Sequence, residues 1–199
     1  MVNFRIASTR DAAEILDIYA PYVRSTAFTF ESEVPSVEEF TKRIENYLQK
    51  FPWIVCTVNN KIVAYAYAST HRERTAYQWT CESSVYVGEN FRARGIGKEI
   101  YQVLFHILKH QGIRNVYAGI TLPNDASVAL HEKCGFEHFA TYDHIGYKLG
   151  TWQKVGWWRL LINSLDKEPS PPILFSELDK YLFTDVFSTA ASRIRSHLI

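Results

Sequence analysis

The stretch that decides the fold runs Val85-Tyr86-Val87-Gly88-Glu89-Asn90-Phe91-Arg92-Ala93-Arg94-Gly95-Ile96-Gly97-Lys98, where an apolar strand meets a basic loop that opens a helix. Gly95 and Gly97 let the main chain turn its N–H groups inward, and the helix N-terminus adds partial positive charge. The two arginines and the lysine surround this turn with full charges. The stretch predicts an anion site suited to a pyrophosphate, although two glycines at such a junction also make ordinary turns.

This loop departs from two common phosphate-binding motifs. The chain has no Gly-x-x-x-x-Gly-Lys-Ser/Thr run, and of Gly-x-Gly-x-x-Gly only Gly95 and Gly97 are present. Arg92-x-x-Gly95-x-Gly97 instead resembles the coenzyme A pyrophosphate loop of the GNAT acetyltransferase superfamily. The resemblance implies two sets of cofactor contacts. The pantetheine arm pairs with the backbone of Val85, Tyr86 and Val87, and the pyrophosphate is held by Arg92, Ala93, Arg94, Gly95, Ile96, Gly97 and Lys98.

A second block, Asn124-Asp125-Ala126-Ser127-Val128-Ala129-Leu130-His131-Glu132-Lys133-Cys134-Gly135-Phe136, resembles the late helix of the same superfamily. Part of the block is ordinary helix punctuation, with an Asn or Asp at the N-cap and a glycine at the end. The resemblance implies that Asn124 binds the coenzyme arm near the thioester. It also assigns Ser127 and, as a weaker phosphate contact, Lys133 to the cofactor site.

Further segments narrow the resemblance to one branch of the superfamily. Tyr77-Gln78-Trp79-Thr80-Cys81-Glu82, Leu130-His131-Glu132, Thr29-Phe30-Glu31 and the stretch 146–152 look like the phosphinothricin N-acetyltransferases, whose relatives acetylate methionine sulfoximine and methionine sulfone. The resemblance covers about residues 2 to 160. It implies that acetyl-CoA is the co-substrate, that no metal takes part, and that the acceptor is a small amino-acid-like molecule.

Glu82 is the predicted general base. It lies on a strand of otherwise apolar and small residues, just before Val85. An amine arrives as an ammonium ion at neutral pH and must lose a proton, which a carboxylate accepts directly or through water. The plain alternative is a solvated glutamate at the edge of a sheet, and the family motif favours the catalytic role.

His131 lies where many GNAT enzymes place the tyrosine that protonates the departing thiolate. An imidazole suits that task because its unperturbed pKa is about 6.5. Two interpretations stay open, since His131 either donates the proton or orients a neighbouring group. Tyr86 and Tyr142 are substitute donors.

The acceptor is predicted to meet a cluster formed by Arg72, Arg74 and Tyr77, together with Glu82 and Phe30. Guanidinium groups bind carboxylates and phosphinates through two parallel hydrogen bonds, which suits an amino acid with a tetrahedral anionic tail. A solvated charged loop is the alternative for the arginines. Phe28 and Phe30 form either an apolar wall of the pocket or part of the core.

Composition limits the other function classes. The chain has 199 residues and a formal charge of +1, which argues against a nucleic-acid binder because such proteins carry a basic excess. The start of the chain lacks the pattern of a secretory signal, and no run reaches the ~18 apolar residues of a membrane span. The three cysteines lack metal-type spacing and predict reduced, mostly buried thiols, with a nucleophilic role for Cys81 disfavoured. We therefore expect a cytoplasmic protein without membrane contact.

The periodicity of apolar residues predicts an α/β (α+β) chain, and the resemblance implies that it has the GNAT fold. We expect a mixed, mostly antiparallel sheet of six to seven strands, flanked by about four helices and followed by a helical C-terminal tail. The strand that ends at Val87 and the strand over 115–121 are expected to be parallel, because a helix connects them. The predicted domain covers residues 1–162. Residues 163–199 form a proline-containing linker over 167–172 and a helix over 176–199, which is either docked or an arm that contacts a partner.

The leading function is N-acetylation, by direct transfer from acetyl-CoA, of the α-amine of a small amino-acid-like substrate such as phosphinothricin, methionine sulfoximine or methionine sulfone. A second hypothesis keeps the fold and donor but takes a polyamine or a peptide N-terminus, and a third is a non-catalytic acyl-CoA-binding module. The aromatic residues Trp152, Trp157 and Trp158 near the end of the domain favour a homodimer, although aromatics also fill monomer cores.

Overall fold

The computed structural model of the chain describes residues 1–165 and 168–198, which form one seven-stranded sheet covered by helices on both faces. The strands are β1 (Val2–Ile6), β2 (Trp53–Val58), β3 (Lys61–Thr70), β4 (Thr80–Val87), β5 (Asn115–Leu122), β6 (Glu137–Lys148) and β7 (Thr151–Leu161). The helices are α1 (Ala12–Ser25), α2 (Val37–Lys50), α3 (Ile96–Gln111), α4 (Asp125–Lys133) and α5 (Thr184–Leu198).

The strand order is β1-β2-β3-β4-β5-β7-β6, and all neighbouring strands are antiparallel except β4 and β5. This arrangement confirms the predicted mixed, mostly antiparallel sheet, and α5 is the predicted helix of the tail. The parallel pair is short, because only Thr80, Cys81 and Glu82 of β4 face partners in β5. Beyond Glu82 the two strands part and leave a cleft in the middle of the sheet.

Alternation along the strands separates two apolar layers, since successive side chains point to opposite faces. In β2, Ile54 and Cys56 face the layer that contains α3 and α5, whereas Trp53 and Val55 face the layer that contains α1 and α2. The cleft between β4 and β5 is therefore enclosed by a packed layer on each face of the sheet.

Local sequence chemistry predicts three boundaries that the structure also has: a hairpin turn at Asn59-Asn60, a capping box at Ser36-x-x-Glu39 and a helix end near Gly112. Asn59 and Asn60 have φ values of 50° and 65° and make the tight turn between β2 and β3. Ser36 and Glu39 form the expected capping box at the start of α2. The helix α3 ends at Gly112, whose φ of 85° is favourable only for glycine among common residues.

The structure corrects the predicted limits of the last strands. The sequence pattern predicts a strand segment from Ile145 past Trp152, but a turn at Leu149 and Gly150 divides this segment between β6 and β7. Both turn residues have positive φ, at 53° and 79°. The sequence did not predict this turn, because residues other than glycine rarely adopt positive φ and Leu149 does so here.

The tail is docked on the domain, which decides between the two alternatives left open by the sequence. Its helix begins at Thr184 rather than at Ser176, so Tyr181 and Leu182 precede it and are exposed. The predicted linker begins at Lys167, which lies outside the described residues, and residues 168–174 have no helix or strand. Ile194 is fully buried against the layer that contains α3, and Arg193 Nη1 lies 3.3 Å from Glu99 Oε2.

We expect Ile194→Ala to lower the free energy of unfolding by about 2–5 kcal/mol, because it opens a cavity where α5 packs on the domain. Denaturant unfolding followed by circular dichroism measures this loss. The exposed Ser192→Ala on the same helix is the matched control, and it should change stability by less than about 0.5 kcal/mol. Equal stability of the two variants would contradict the docked arrangement.

Candidate active site

A small cavity of about 90 Å³ opens where β4 and β5 part. Ser83, Ser84 and Val85 form its wall on β4, and Gly119 and Ile120 form its wall on β5. Tyr86 of β4 and Thr121 of β5 also line it. The other lining residues come from α1, α3, α4 and the neighbouring loops: Tyr22, Phe28, Tyr101, Asn124, Ser127 and His131. Because residues 83–87 pair only with β3 on one side, their main chain is available on the other side to an extended ligand.

The predicted anion loop lies between β4 and α3. Its main-chain amides from Ala93 to Gly97 have no hydrogen-bond partner among the residues that the structure describes. Ala93 and Gly95 both have positive φ, at 59° and 79°, so successive amides converge as they do in phosphate-binding turns. The side chains of Arg92 and Arg94 extend over the rings of Tyr22 and Phe91, at 5.1 and 5.7 Å from the ring centroids.

Gly97 allows the first turn of α3 to approach α4 closely. A Cβ atom at this position would lie 3.1 Å from Leu130 Cδ2 and 3.7 Å from Val87 Cγ2. The second glycine of the motif therefore has a packing role, whereas Gly95 has a conformational one. Lys98 follows in the helix and is exposed.

The late helix brings two further predicted residues to the cleft. Asn124 is the N-cap of α4, and its Oδ1 accepts a hydrogen bond from the amide of Ser127 at 3.3 Å. Both residues line the cleft. Lys133, the third predicted residue of this helix, is exposed at the opposite end of α4 and lines neither the cleft nor the acceptor cavity described below.

His131 is buried and connects α4 to α3. Its Nδ1 lies 2.7 Å from the carbonyl oxygen of Ser127, and its Nε2 lies 2.9 Å from Tyr101 Oη. A carbonyl only accepts, so Nδ1 carries the proton and Nε2 accepts the hydrogen bond that the tyrosine hydroxyl donates. Burial lowers the pKa of His131, although the Ser127 carbonyl acts in the opposite direction. The neutral imidazole is therefore the form that this environment favours.

The Tyr101 hydroxyl reaches the cleft at the end of this hydrogen-bond chain. Its Oη also lies 3.5 Å from Ser83 Oγ on β4. Burial raises the pKa of Tyr101, while the hydrogen bond from Ser83 acts in the opposite direction, so the hydroxyl stays protonated at neutral pH. Of the two roles considered for His131, orientation of a neighbouring group has a concrete partner here.

Glu82 occupies the point where the two central strands part. It is the last residue of β4 that pairs with β5, and Ser83 beside it already lines the cleft. Its Oε1 lies 2.8 Å from Nδ1 of His71, whose ring stacks on Tyr117 at 5.0 Å between centroids. The carboxylate is half-buried and held in a defined position.

A larger cavity of about 320 Å³ adjoins the cleft and shares Phe28, Gly119 and Thr121 with it. The remaining walls are apolar or aromatic and carry no formal charge: Phe30, Tyr142, Ile145, Val155 and Trp157. The two phenylalanines from the predicted acceptor pocket are therefore both present in this wall. Because the two cavities share lining residues, an acceptor here would lie next to an acyl group held in the cleft.

The predicted arginine cluster does not enter this cavity within one chain. Arg72 and Arg74 are exposed on the loop after β3 and line neither cavity. Tyr77 is also exposed, but its ring meets His71 at 6.2 Å in an edge-on contact. The loop therefore reaches the site through the imidazole that holds Glu82.

The alternative proton donors and the cysteines occupy different environments. Tyr86 is enclosed by other aromatic rings, and burial raises its pKa far above the usual range. Tyr142 is half-exposed in the wall of the acceptor cavity.

Cys81 is fully buried, and burial raises the pKa of its thiol, which leaves it unsuited to act as a nucleophile.

Two residues of the site were not predicted. His71 directly follows β3. The pairing of Ser69 with Glu82 places its imidazole near the carboxylate, but this pairing could not be predicted across the loop between β3 and β4. Tyr101 lies outside the main apolar stripe of α3. It belongs to a second stripe with Phe105, which packs on Phe136 beyond α4.

Among the residues described, no three His, Cys, Asp or Glu side chains are grouped as metal ligands would be. No helix within residues 1–165 and 168–198 is long and apolar enough to cross a bilayer.

Comparison with known proteins agrees with this geometry. Residues 4–157 match the family model described as acetyltransferase (GNAT) domain. The phosphinothricin N-acetyltransferase of Streptomyces viridochromogenes is 36% identical over 158 residues, which are 79% of this chain and 86% of that protein. The L-methionine sulfoximine/L-methionine sulfone acetyltransferase of Salmonella typhimurium is 28% identical over 171 residues, 85% of this chain and 98% of that protein.

Among solved structures, a GNAT superfamily phosphinothricin acetyltransferase from Sinorhizobium meliloti in complex with AcCoA superposes with a TM-score of 0.83. It is 29% identical, and the match covers 87% of this chain and 98% of that one. The family model covers most of the chain, and the first relative exceeds 30% identity over most of its length. The chain belongs to the GNAT family of acetyltransferases.

Proposed function

We propose that the protein transfers the acetyl group of acetyl-CoA to the α-amine of a small amino-acid-like acceptor of the phosphinothricin, methionine sulfoximine or methionine sulfone type. One arrangement carries this proposal. At its α3 end, the cleft between β4 and β5 leads to the amides from Ala93 to Gly97, which have no hydrogen-bond partner within residues 1–165 and 168–198, and the carboxylate of Glu82 lies where the strands part. The relatives named phosphinothricin N-acetyltransferase and L-methionine sulfoximine/L-methionine sulfone acetyltransferase support the same reaction and the same class of acceptor.

Two groups of residues bind acetyl-CoA, one at the diphosphate and one along the pantetheine arm. The amides from Ala93 to Gly97, with Arg92, Arg94 and Lys98 around them, hold the diphosphate, and the free edge of residues 83–87 pairs with the pantetheine arm. Asn124 and Ser127 border the same channel. Acetyl-CoA supplies the activated acetyl thioester, and the shape of the cleft orients it toward the acceptor cavity.

Glu82 accepts the proton that the acceptor's ammonium group must lose before attack. Its position is fixed by His71, which is itself held by stacking on Tyr117. The deprotonated amine then attacks the thioester carbonyl, and the carbon–sulfur bond breaks. Before the reaction, the neutral imidazole of His131 holds the Tyr101 hydroxyl in place by accepting its hydrogen bond. As the sulfur departs, that hydroxyl turns its single hydrogen from Nε2 to the sulfur, and the thiolate takes up the proton that the attacking nitrogen loses when the amide forms.

The acceptor's side chain occupies the aromatic cavity formed by Phe28, Phe30 and Trp157 with their neighbours. Arg72 and Arg74 remain our proposed contacts for an anionic group of the acceptor. They follow His71 directly along the chain, and their loop already contacts the site through Tyr77. A cationic polyamine would be repelled by these guanidinium groups.

The proposal is tested by measuring thiol release from acetyl-CoA with methionine sulfoximine, phosphinothricin and spermidine as acceptors. We expect the two amino-acid analogues to accelerate release above the acceptor-free rate and spermidine to have no effect. Acceleration by spermidine alone would favour a polyamine acetyltransferase. Binding of acetyl-CoA in calorimetry without acceleration by any amine would favour a non-catalytic acyl-CoA-binding module.

We also propose a homodimer. Of the three tryptophans first considered, Trp158 is buried and Trp157 lines the acceptor cavity, so only Trp152 is free to contact another chain. It forms an exposed apolar patch with Tyr147 and Leu149 on the β6–β7 hairpin. A sedimentation mass of one chain at micromolar concentration would contradict the dimer.

A cytoplasmic location is proposed as well, and the three buried, unpaired cysteines support it.

A further inference from the structure

The segment that carries the aromatic wall of the acceptor cavity has no regular structure of its own. Residues 26–31 connect α1 toward α2, and their side chains Phe28 and Phe30 line the cavity while remaining partly exposed. Phe28 also lines the cleft. A segment without helix or strand keeps a fixed position only when contacts with other parts of the protein hold it. The position of residues 26–31 therefore depends on such contacts.

A buried lysine from the edge strand β6 supplies the most specific contact. Lys148, the last residue of β6, is only 9% exposed. Its Nζ donates to the carbonyl oxygens of Val23 and Thr29, both at 2.8 Å. These two carbonyls belong to the last turn of α1 and to the loop. One ammonium group therefore joins β6, the C-terminal end of a helix and the middle of the acceptor loop.

The surroundings make this lysine unusual. Within residues 1–165 and 168–198, no carboxylate lies within 4.0 Å of its ammonium group, which depends instead on main-chain oxygens. A buried charge is costly unless it is both paired with an opposite charge and hydrogen-bonded, and Lys148 has the hydrogen bonds without an ion-pair partner at that distance, so the protein retains it at a cost in stability. The C-terminal end of α1 offsets part of that cost, because cations are favoured there.

Other contacts constrain the same loop from different directions. Tyr19 Oη lies 2.6 Å from Thr29 Oγ1, and Arg43 Nη1 lies 2.7 Å from Glu31 Oε1. The ring of Phe30 packs so closely on Gly146 of β6 that a Cβ atom there would collide with it. Strand β6 thus contacts the loop twice, through Gly146 at the Phe30 ring and through Lys148 at the main chain.

We propose that Lys148 is a positioning residue for the acceptor, which fixes the main chain of residues 26–31 so that Phe28 and Phe30 keep the shape of the acceptor cavity. The proposal rests on the proposed function, because the cavity must receive the amine. Lys148 contacts none of the groups that hold acetyl-CoA. Its loss therefore affects one substrate and spares the other.

The test compares Lys148→Met, which keeps the aliphatic length but removes the N–H donors, with Lys148→Arg, which keeps them. We expect Lys148→Met to raise the KM for methionine sulfoximine by about tenfold or more, with the KM for acetyl-CoA within about twofold of wild type. Lys148→Arg should recover most of the acceptor affinity. The exposed Lys154→Met on β7 is the matched control and should leave both constants unchanged.

Hydrogen exchange separates failure of this proposal from failure of the proposed function. Amides in a peptide covering residues 24–32 should exchange about tenfold faster in Lys148→Met, while acetyl-CoA protects residues 92–98 as in wild type. A folded Lys148→Met with unchanged exchange and unchanged acceptor KM overturns the positioning role. If Lys148→Met does not fold, Lys148→Gln, which retains one amide donor group, is held to the same criteria. Wild-type protein without turnover on any amino acid would instead overturn the proposed function.

Discussion

Glu82→Gln is expected to lower kcat by about 10²–10⁴-fold, with the dissociation constant for acetyl-CoA within about twofold of the wild-type value. The amide is nearly isosteric and still hydrogen-bonds to His71, so the fold and the cleft should be retained. What is lost is the ability to accept a proton from the ammonium group of the acceptor. Steady-state rates of thiol release and calorimetry with acetyl-CoA measure the two quantities separately.

The control for this substitution is Glu73→Gln, on the exposed loop after β3. It removes the same charge from the same side of the molecule, and the rate should change by less than about twofold because surface charges are strongly screened. A Glu82→Gln variant that retains more than a tenth of the wild-type kcat would remove Glu82 from the role of base. In that case Glu82 would be a structural partner of His71.

His71 and Glu82 show what the sequence can and cannot predict about the site. Glu82 could be found because its strand, its distance from the anion loop and the family motif all lie in one continuous stretch. His71 could not, because its contact depends on how β3 pairs with β4 across a loop whose length does not determine the register. The arginines of that loop were predicted as a cluster around the acceptor, yet one chain leaves Arg72 and Arg74 exposed.

The same contrast holds for the fold. Local rules predicted the turn at Asn59 and Asn60, the capping box of α2 and the end of α3 at Gly112, since each depends on neighbouring residues. The turn at Leu149 was missed because a leucine adopts positive φ there. On α3, the sequence predicts one buried stripe: Ile96, Ile100, Val103, Leu104, Ile107 and Leu108. More of the helix is buried than this stripe, because α4 and α5 cover further sides of it.

Tyr101 is one of the additional buried residues of α3. We expect Tyr101→Phe to lower kcat by about 10–10²-fold. The phenylalanine keeps the ring contacts with Phe105 and Phe136 and removes only the hydroxyl. The departing sulfur then loses its hydrogen-bond donor, whereas the anion loop and the channel for the pantetheine arm are unchanged. Thiol release under saturating substrates, together with calorimetric affinity for acetyl-CoA, measures the effect.

His131→Gln distinguishes the role of the imidazole from that of the hydroxyl. Glutamine still offers an acceptor for the Tyr101 hydroxyl, so an orienting role predicts a smaller loss of kcat than in Tyr101→Phe. A donor role for His131 predicts a loss of kcat that is at least as large.

Tyr86→Phe and Tyr142→Phe test the two rival donors. We expect both to retain kcat within about threefold, because phenylalanine keeps the aromatic ring packing of Tyr86 and because Tyr142 lines the acceptor cavity rather than the cleft. A Tyr101→Phe variant with wild-type kcat, alongside a severe loss in either rival, would move the proton donor to that residue.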